Sequence, residues 1–346
     1  MIKPERLRVG DRVAVVSPSW GGPGTFPQRY AAGVAQLRAE FGLEAVAMPH
    51  ALRDADWLAD NPQARAEDLM AAFADPAVKG VIASIGGDDS LRILRHLDLG
   101  LIRANPKVFL GFSDTTLSHL ACFKAGLVSF YGPSIMAGFA ENGGMFPYMI
   151  DAVRRALFQA EPIGVVPPNL DGWTVEHLDW GDPSLQSRRR ALEPSTGWRW
   201  LQGSGARTGR LLGGCLEVLD WARGTSFWPE PAAWDGAILF IETSEEAPPP
   251  QAVVRSLRTY AAQGILGRLA ALLVGRPGGG VPASEFPAYD AAVLQVVAAE
   301  EGLTDLPVVA GMDFGHTDPM MVLPYGLLAR VDCDRQEFAI LESGVI

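Results

Sequence analysis

The stretch Val108-Phe109-Leu110-Gly111-Phe112-Ser113-Asp114-Thr115 decides how the rest of the chain is read. Its first three residues are apolar and form a buried strand; Gly111 opens a turn, and a helix follows through Leu117 and Leu120 to Gly126. A strand that turns sharply into a helix is the layout of a nucleophile elbow, which lifts a serine hydroxyl clear of a sheet's carboxyl edge and aims a helix N-terminus at it. The N–H of the next residue, Asp114, can then donate to a developing oxyanion. A second reading stays open. The G-x-S-x-G pattern would have glycine where Thr115 stands, and Ser and Asp are favoured at such turns simply as N-caps.

Outward from this stretch the same alternation repeats. Val13–Val16, Val46–Met48, Val81–Ile85 and Val128–Tyr131 are short apolar runs. Between them lie helical stripes: Tyr30, Val34, Leu37 and Phe41; Leu69, Met70 and Phe73; Leu91, Leu94 and Leu97 after the caps of Asp88-Asp89-Ser90; and, last, Ile150, Val153 and Leu157. Strands alternating with helices imply right-handed βαβ units and a parallel sheet, so residues 1–160 read as an α/β domain of the flavodoxin or amidotransferase type. Residues 161–205 change character. They hold Trp173, Trp180, Trp198, Trp200 and the run Arg188-Arg189-Arg190 with little periodicity, and read as a linker or flap with some short strands. Residues 206–346 read as a smaller C-terminal α/β domain. Its buried strands are Ala237–Ile241, Ala270–Val274 and Pro307–Ala310, and Leu327–Val331 and Phe338–Leu341 are placed to close a small sheet.

Composition narrows the function. At roughly 150 residues per domain, 346 residues predict two domains. Lys and Arg number 29 against 40 Asp and Glu, a net charge of −11, which argues against a nucleic-acid polymer or an anionic membrane as partner. No apolar run approaches the roughly 18 residues of a spanning helix. The start of the chain lacks the apolar core of a signal peptide, so a cytoplasmic location is expected. Cys122, Cys215 and Cys333 are odd in number and far apart, which excludes a disulfide framework and a zinc ribbon. HExxH, SxxK and GK[ST] do not occur. Gly278-Gly279-Gly280 lacks a following Lys, sits between prolines, and reads as a connecting loop.

A nucleophilic serine needs a base, and the chain has five histidines. His96 and His119 fall within helices, His50 follows a strand end, and His177 sits in the Trp-rich stretch. His316, in Gly315-His316-Thr317-Asp318-Pro319, follows the last buried strand, where a rigid scaffold presents functional groups; a solvent-exposed loop histidine is the alternative. Glu242 ends the run Ala237–Ile241 and is placed to orient an imidazole, although it, Glu245 or Glu246 could equally cap the helix beyond Pro248-Pro249-Pro250. Gly86-Gly87-Asp88 at another strand end lets backbone N–H groups approach a ligand closely.

Taken in order, Ile85-Gly86-Gly87, Gly111-Phe112-Ser113-Asp114, Leu211-Leu212-Gly213-Gly214, Ile241-Glu242 and Gly315-His316-Thr317 resemble the LD-carboxypeptidases, serine peptidases with a Ser-Glu-His triad. The likeness covers essentially the whole chain. It implies Ser113 as nucleophile, His316 as general base and acid, and Glu242 as the orienting carboxylate. The Asp114 N–H and an N–H of Gly87 or Asp88 would form the oxyanion hole. It also implies a homodimer and no metal or organic cofactor. The Trp-rich insert looks more like the microcin C self-immunity branch, which cleaves aminoacyl or peptidyl nucleotides; there Trp173 and Trp180 would stack on the base, and Glu246 and Cys215 would face the substrate. Cys215 stands where the nucleotide-cleaving enzymes are expected to carry Asn. Two substrates are therefore expected, a murein tetrapeptide or an aminoacyl nucleotide. A terminal carboxylate would have to be held by a cation, with Arg207, Arg210, Arg223 and Arg276 all possible. The rival of another class is a noncatalytic α/β protein binding a small ligand, with Ser113 as a cap.

Overall fold

The computed structural model describes residues 1–346. In the first half the predicted apolar runs form β1 (Arg12–Val16), β2 (Glu44–Ala47), β3 (Val78–Ala83), β4 (Val108–Gly111) and β5 (Phe130–Tyr131). Adjacent pairs of these strands are all parallel. The strands are short and, apart from the half-exposed edge strand β2, mostly buried, because helices such as Pro27–Phe41, Pro62–Ala74 and Thr116–Ala125 connect them. The helix expected after Asp88-Asp89-Ser90 is a 3₁₀ segment, Ser90–His96.

The remaining strands are β6 (Gly164–Val166), β7 (Arg199–Gln202), β8 (Ala206–Cys215), β9 (Ile238–Glu242), β10 (Ala271–Gly275), β11 (Val308–Met312), β12 (Leu323–Pro324), β13 (Leu328–Asp332) and β14 (Glu337–Ile340). Eight of them form a second sheet in the order β6-β14-β13-β8-β9-β10-β11-β7. Its centre, β8 to β11, is parallel, and both flanks are antiparallel. β8 serves both parts: Ala206–Arg210 pairs with β13, and Leu211–Cys215 pairs with β9.

Two features depart from the three-segment reading. β6 and β7 lie within 161–205, yet each extends an edge of the second sheet, so this stretch is part of the sheet rather than a free linker. β12, far along the chain, returns to pair antiparallel with β5 at the edge of the first sheet. A contiguous apolar core of 88 buried residues runs through both sheets, so the two halves are packed as one body. No helix is long and apolar enough to cross a membrane.

This arrangement positions the site. In a parallel sheet all carboxyl ends lie on one edge, and here the two edges face each other. Ser113 follows β4, and Tyr131 ends β5 beside Gly111. From the other sheet Cys215 ends β8 beside Glu242, which ends β9, and the loop after β11 carries His316.

Candidate active site

Ser113 sits at the turn with φ +63°, a left-handed conformation that costs a non-glycine residue about 1–2 kcal/mol. Such strain persists only where the surroundings over-determine it, and at strand–helix turns it exposes the side chain. Three contacts hold it. Thr116 Oγ1 donates to the Ser113 carbonyl at 2.7 Å, the Ser113 N–H donates to the Tyr131 hydroxyl at 3.0 Å, and Gly86 lies against the side chain. A Cβ on Gly86 would meet Ser113 Cβ and Oγ at 2.8 Å, so only glycine allows this approach.

Across the interface His316 Nε2 lies 3.0 Å from Ser113 Oγ, and His316 Nδ1 lies 2.6 Å from Glu242 Oε2. Glu242 is fully buried, and its other oxygen accepts from the Tyr131 hydroxyl. Gly315, φ +93°, makes the turn possible: a Cβ there would fall 2.6 Å from the Glu242 side chain. The loop is braced by Arg276, which donates to Thr317 Oγ1 at 3.1 Å and pairs with Asp313 at 2.7 Å. Ser113, His316 and Glu242, read from three separate strand ends, therefore meet in one hydrogen-bonded chain.

A second carboxylate reaches the same imidazole. Glu245 Oε2 lies 3.0 Å from His316 Nε2, as near as the serine. Burial by itself opposes a charged imidazole, but Glu242 and then Glu245 outweigh it and push His316 up to about 10. The two carboxylates thus favour the protonated imidazole, whose Nε2 faces both Ser113 and Glu245. The hydrogen bond from His316 holds the Glu245 carboxyl below the usual range, although Glu245 is exposed and solvent screens the pairing.

Asp114 is fully buried, and its carboxyl accepts the Ser90 N–H at 2.8 Å, which fastens the elbow to the loop after β3. Burial raises its pKa against hydrogen bonds from Ser19 and Ser90. In that loop the N–H groups of Gly87 and Asp88 have no intramolecular acceptor. Both residues line a cavity of about 710 Å³ that contains Ser113 and His316.

The cavity sorts the remaining predicted residues. Trp180 and Glu246 line it; Trp173 and Cys215 do not. Trp173 is buried instead against Phe286 (ring centroids 5.4 Å apart) and beneath the Arg276 guanidinium, with its Nε1 donating to the Pro194 carbonyl. The apolar side of the insert is satisfied by packing, which withdraws this ring from the cavity. Cys215 is buried at the end of β8, with its N–H donating to Thr116 Oγ1 at 3.1 Å and its thiol directed to Glu217 at 3.5 Å. The thiol, Glu242 and His316 come within 4.8 Å of one another. Arg207, Arg210, Arg223 and Arg276 lie outside the cavity, the last of them occupied by Asp313. Gly279 and Gly280, expected as a plain connection, line it.

The sequence reading assigned no role in the site to Trp20, His177, Arg190 or Arg29, all of which line the cavity. Trp20 and His177 stand on its walls. Arg190 is committed to Glu141 and to Asp318 at 2.6 Å. Arg29 differs, since no carboxylate pairs with it. Its Nε donates to the Met136 carbonyl at 3.0 Å and its Nη1 to Asn142 and Gln186, while Nη2 has no partner within the protein. Burial lowers Arg29 to about 10, so it remains a cation at neutral pH. Trp180 lies under this guanidinium at 4.9 Å. Arg29 occupies an ordinary helical position, and only the fold distinguishes it from the other arginines.

Comparison with known proteins agrees with this layout. The LD-carboxypeptidase N-terminal domain matches residues 13–132, and the LD-carboxypeptidase C-terminal domain matches residues 208–331. A probable murein peptide carboxypeptidase of Bacillus subtilis is 29% identical, with 99% of this chain and 95% of that protein covered. The microcin C7 self-immunity protein MccF of Escherichia coli is 26% identical over 97% of this chain and 95% of its own length. Its structure in complex with aspartyl sulfamoyl adenosine matches with a TM-score of 0.83 and covers both chains fully. An MccF-like protein from Streptococcus pneumoniae in complex with AMP matches with a TM-score of 0.86 at 31% identity, covering 96% of this chain and 98% of that one. With both domain models matched in order around one cavity, the chain belongs to the LD-carboxypeptidase family.

Proposed function

We propose that the protein is a serine carboxypeptidase that hydrolyses a terminal amide through Ser113, His316 and Glu242. The observation that carries this reading is the hydrogen-bonded chain Ser113–His316–Glu242 across two strand-end edges, at 3.0 and 2.6 Å. Substrate entering the cavity displaces Glu245 from Nε2 and lets the imidazolium lose its proton. Neutral His316 then takes the proton of Ser113 as Oγ attacks the amide carbonyl. N–H groups of Asp114 and of Gly87 or Asp88 receive the oxyanion. His316 returns the proton to the leaving amine, and a water, activated in the same way, releases the acyl group. Glu242 stabilises the imidazolium in both steps. Arg29 supplies the cation that a free carboxylate requires, through its unoccupied Nη2.

For the substrate, the reading taken first is the L,D bond of a murein tetrapeptide, with D-Ala leaving. A second reading, hydrolysis of an aminoacyl or peptidyl nucleotide, is favoured by Trp180, a half-buried ring in the cavity wall with Arg29 beside it, and by the nucleotides bound to similar structures. The test incubates wild type and Ser113→Ala with a murein tetrapeptide ending in D-Ala, and separately with aspartyl sulfamoyl adenosine, followed by mass spectrometry. Loss of D-Ala in wild type alone supports the first reading. Cleavage of the conjugate alone supports the second. No turnover of either, with identical behaviour of the two proteins, would falsify both. The homodimer and cytoplasmic location proposed with it are read by sedimentation velocity and cell fractionation.

A further inference from the structure

Glu242 is a buried carboxylate with two donors, one for each oxygen: His316 Nδ1 on Oε2 and the Tyr131 hydroxyl on Oε1. The Tyr131 oxygen also accepts the Ser113 N–H at 3.0 Å, a group that the left-handed turn leaves without a backbone partner. The ring is 1% exposed and packed among Phe112, His119 and Phe240, so the hydroxyl reaches no solvent. One hydroxyl thus joins the nucleophile's backbone, from the first sheet, to the orienting carboxylate, from the second.

We propose that Tyr131 is a positioning residue of the triad, whose hydroxyl sets Glu242 so that Oε2 alone faces His316 and fixes the Ser113 turn at the same time. The inference rests on the triad reading. Burial and then the neighbouring Glu242 charge raise the phenol's pKa well above its ordinary value, so the proton stays on oxygen and the hydroxyl remains a donor to an ionised carboxylate. Without it, Oε1 has no donor inside the protein, and the carboxylate can rotate or bind the imidazole through both oxygens. Either change moves the ring relative to Ser113 Oγ. The stronger pull of an undercompensated Glu242 also favours the imidazolium. The other groups facing His316, Glu245 from its loop and Cys215 from β8, are unaltered.

The experiment compares wild type, Tyr131→Phe and Ser113→Ala by the rate of reaction with a fluorophosphonate probe across pH. In that reaction Ser113 Oγ forms a bond to phosphorus, fluoride leaves, and His316 takes the serine proton. Tyr131→Phe is expected to lower the maximal labelling rate roughly ten- to a hundredfold, the range for one hydrogen bond to a buried charge. The half-saturating probe concentration should stay within about twofold, and the acidic limb of the profile should move to higher pH. Because the phenylalanine variant could unfold, 3-fluorotyrosine placed at position 131 is the second probe. It is a stronger donor of the same shape, and should move the limb to lower pH. Wild-type rates and limbs in both variants, with Ser113→Ala unreactive, would overturn the role of Tyr131 while leaving the triad standing. Labelling of Ser113→Ala at the wild-type rate would overturn triad and proposal together.

Discussion

The elbow and the Trp-rich insert are both rich in unusual residues, yet they behave oppositely when the chain folds. Residues 108–125 form the strand, turn and helix that their pattern predicts, and Ser113 ends up facing His316. In residues 161–205 the tryptophans divide between core and cavity. Trp173 is buried under Arg276 while Trp180 lines the cavity beside Arg29. Local backbone geometry dictates the first region: a serine between a buried strand and a helix has one place to go. The second is governed by which neighbours arrive from elsewhere, and a tryptophan suits a core as well as a binding wall.

The largest effect that can break this comparison is Ser113→Ala. It should lower turnover by at least ~10³-fold with unchanged thermal stability, read by steady-state kinetics beside a melting curve. Retained turnover would reduce the elbow to a cap. Next, Trp173→Ala should cost about 3–5 kcal/mol of stability in denaturant titration, as deletion of a buried aromatic does. An unchanged unfolding midpoint would return that residue to the surface. Arg29→Gln removes the cavity's uncommitted cation, and KM for an anionic substrate should rise roughly tenfold or more with kcat little altered. A change in kcat alone would place Arg29 elsewhere in the mechanism. Trp180→Ala should weaken AMP binding by about 1–3 kcal/mol in calorimetry and leave the fold intact; absence of AMP binding in wild type would remove the nucleotide reading of the insert.

The smallest effect concerns pH. Glu245→Gln deletes one of the two carboxylates that raise His316, so His316 binds its proton less tightly. The neutral base then persists to lower pH, and the acidic limb of the kcat/KM profile, which reports the free enzyme, should move downward while the plateau holds. A limb that stays in place would mean that Glu245 does not hold the His316 proton in the free enzyme.

Much of this site was legible because strand ends carry it. Ser113, Glu242 and His316 each follow a buried apolar run, and glycines mark the tight approaches at Gly86 and Gly315. Tyr131 also ends such a run, but an aromatic residue in a strand carries no local sign that its hydroxyl will find a carboxylate 111 residues away. Arg29 and Arg276 look alike in the chain. One is neutralised by Asp313, and the other keeps a free donor in the cavity. Cys215 follows two glycines as the binding residues of the resemblance do, yet it turns toward Glu217 and is covered.

The sequence alone determined the α/β class and the parallel central strands and placed Ser113, Glu242 and His316 at the ends of apolar runs, because hydrophobic period and turn chemistry act over a few neighbouring residues, whereas their reading as a triad came from the family resemblance. Only the tertiary structure decided that β6 and β7 belong to the second sheet, that β12 crosses back to the first, and which tryptophans and arginines face the cavity. Those outcomes depend on partners distant in the chain. Burial, pairing and desolvation are properties of an assembled neighbourhood, and no window of sequence contains it.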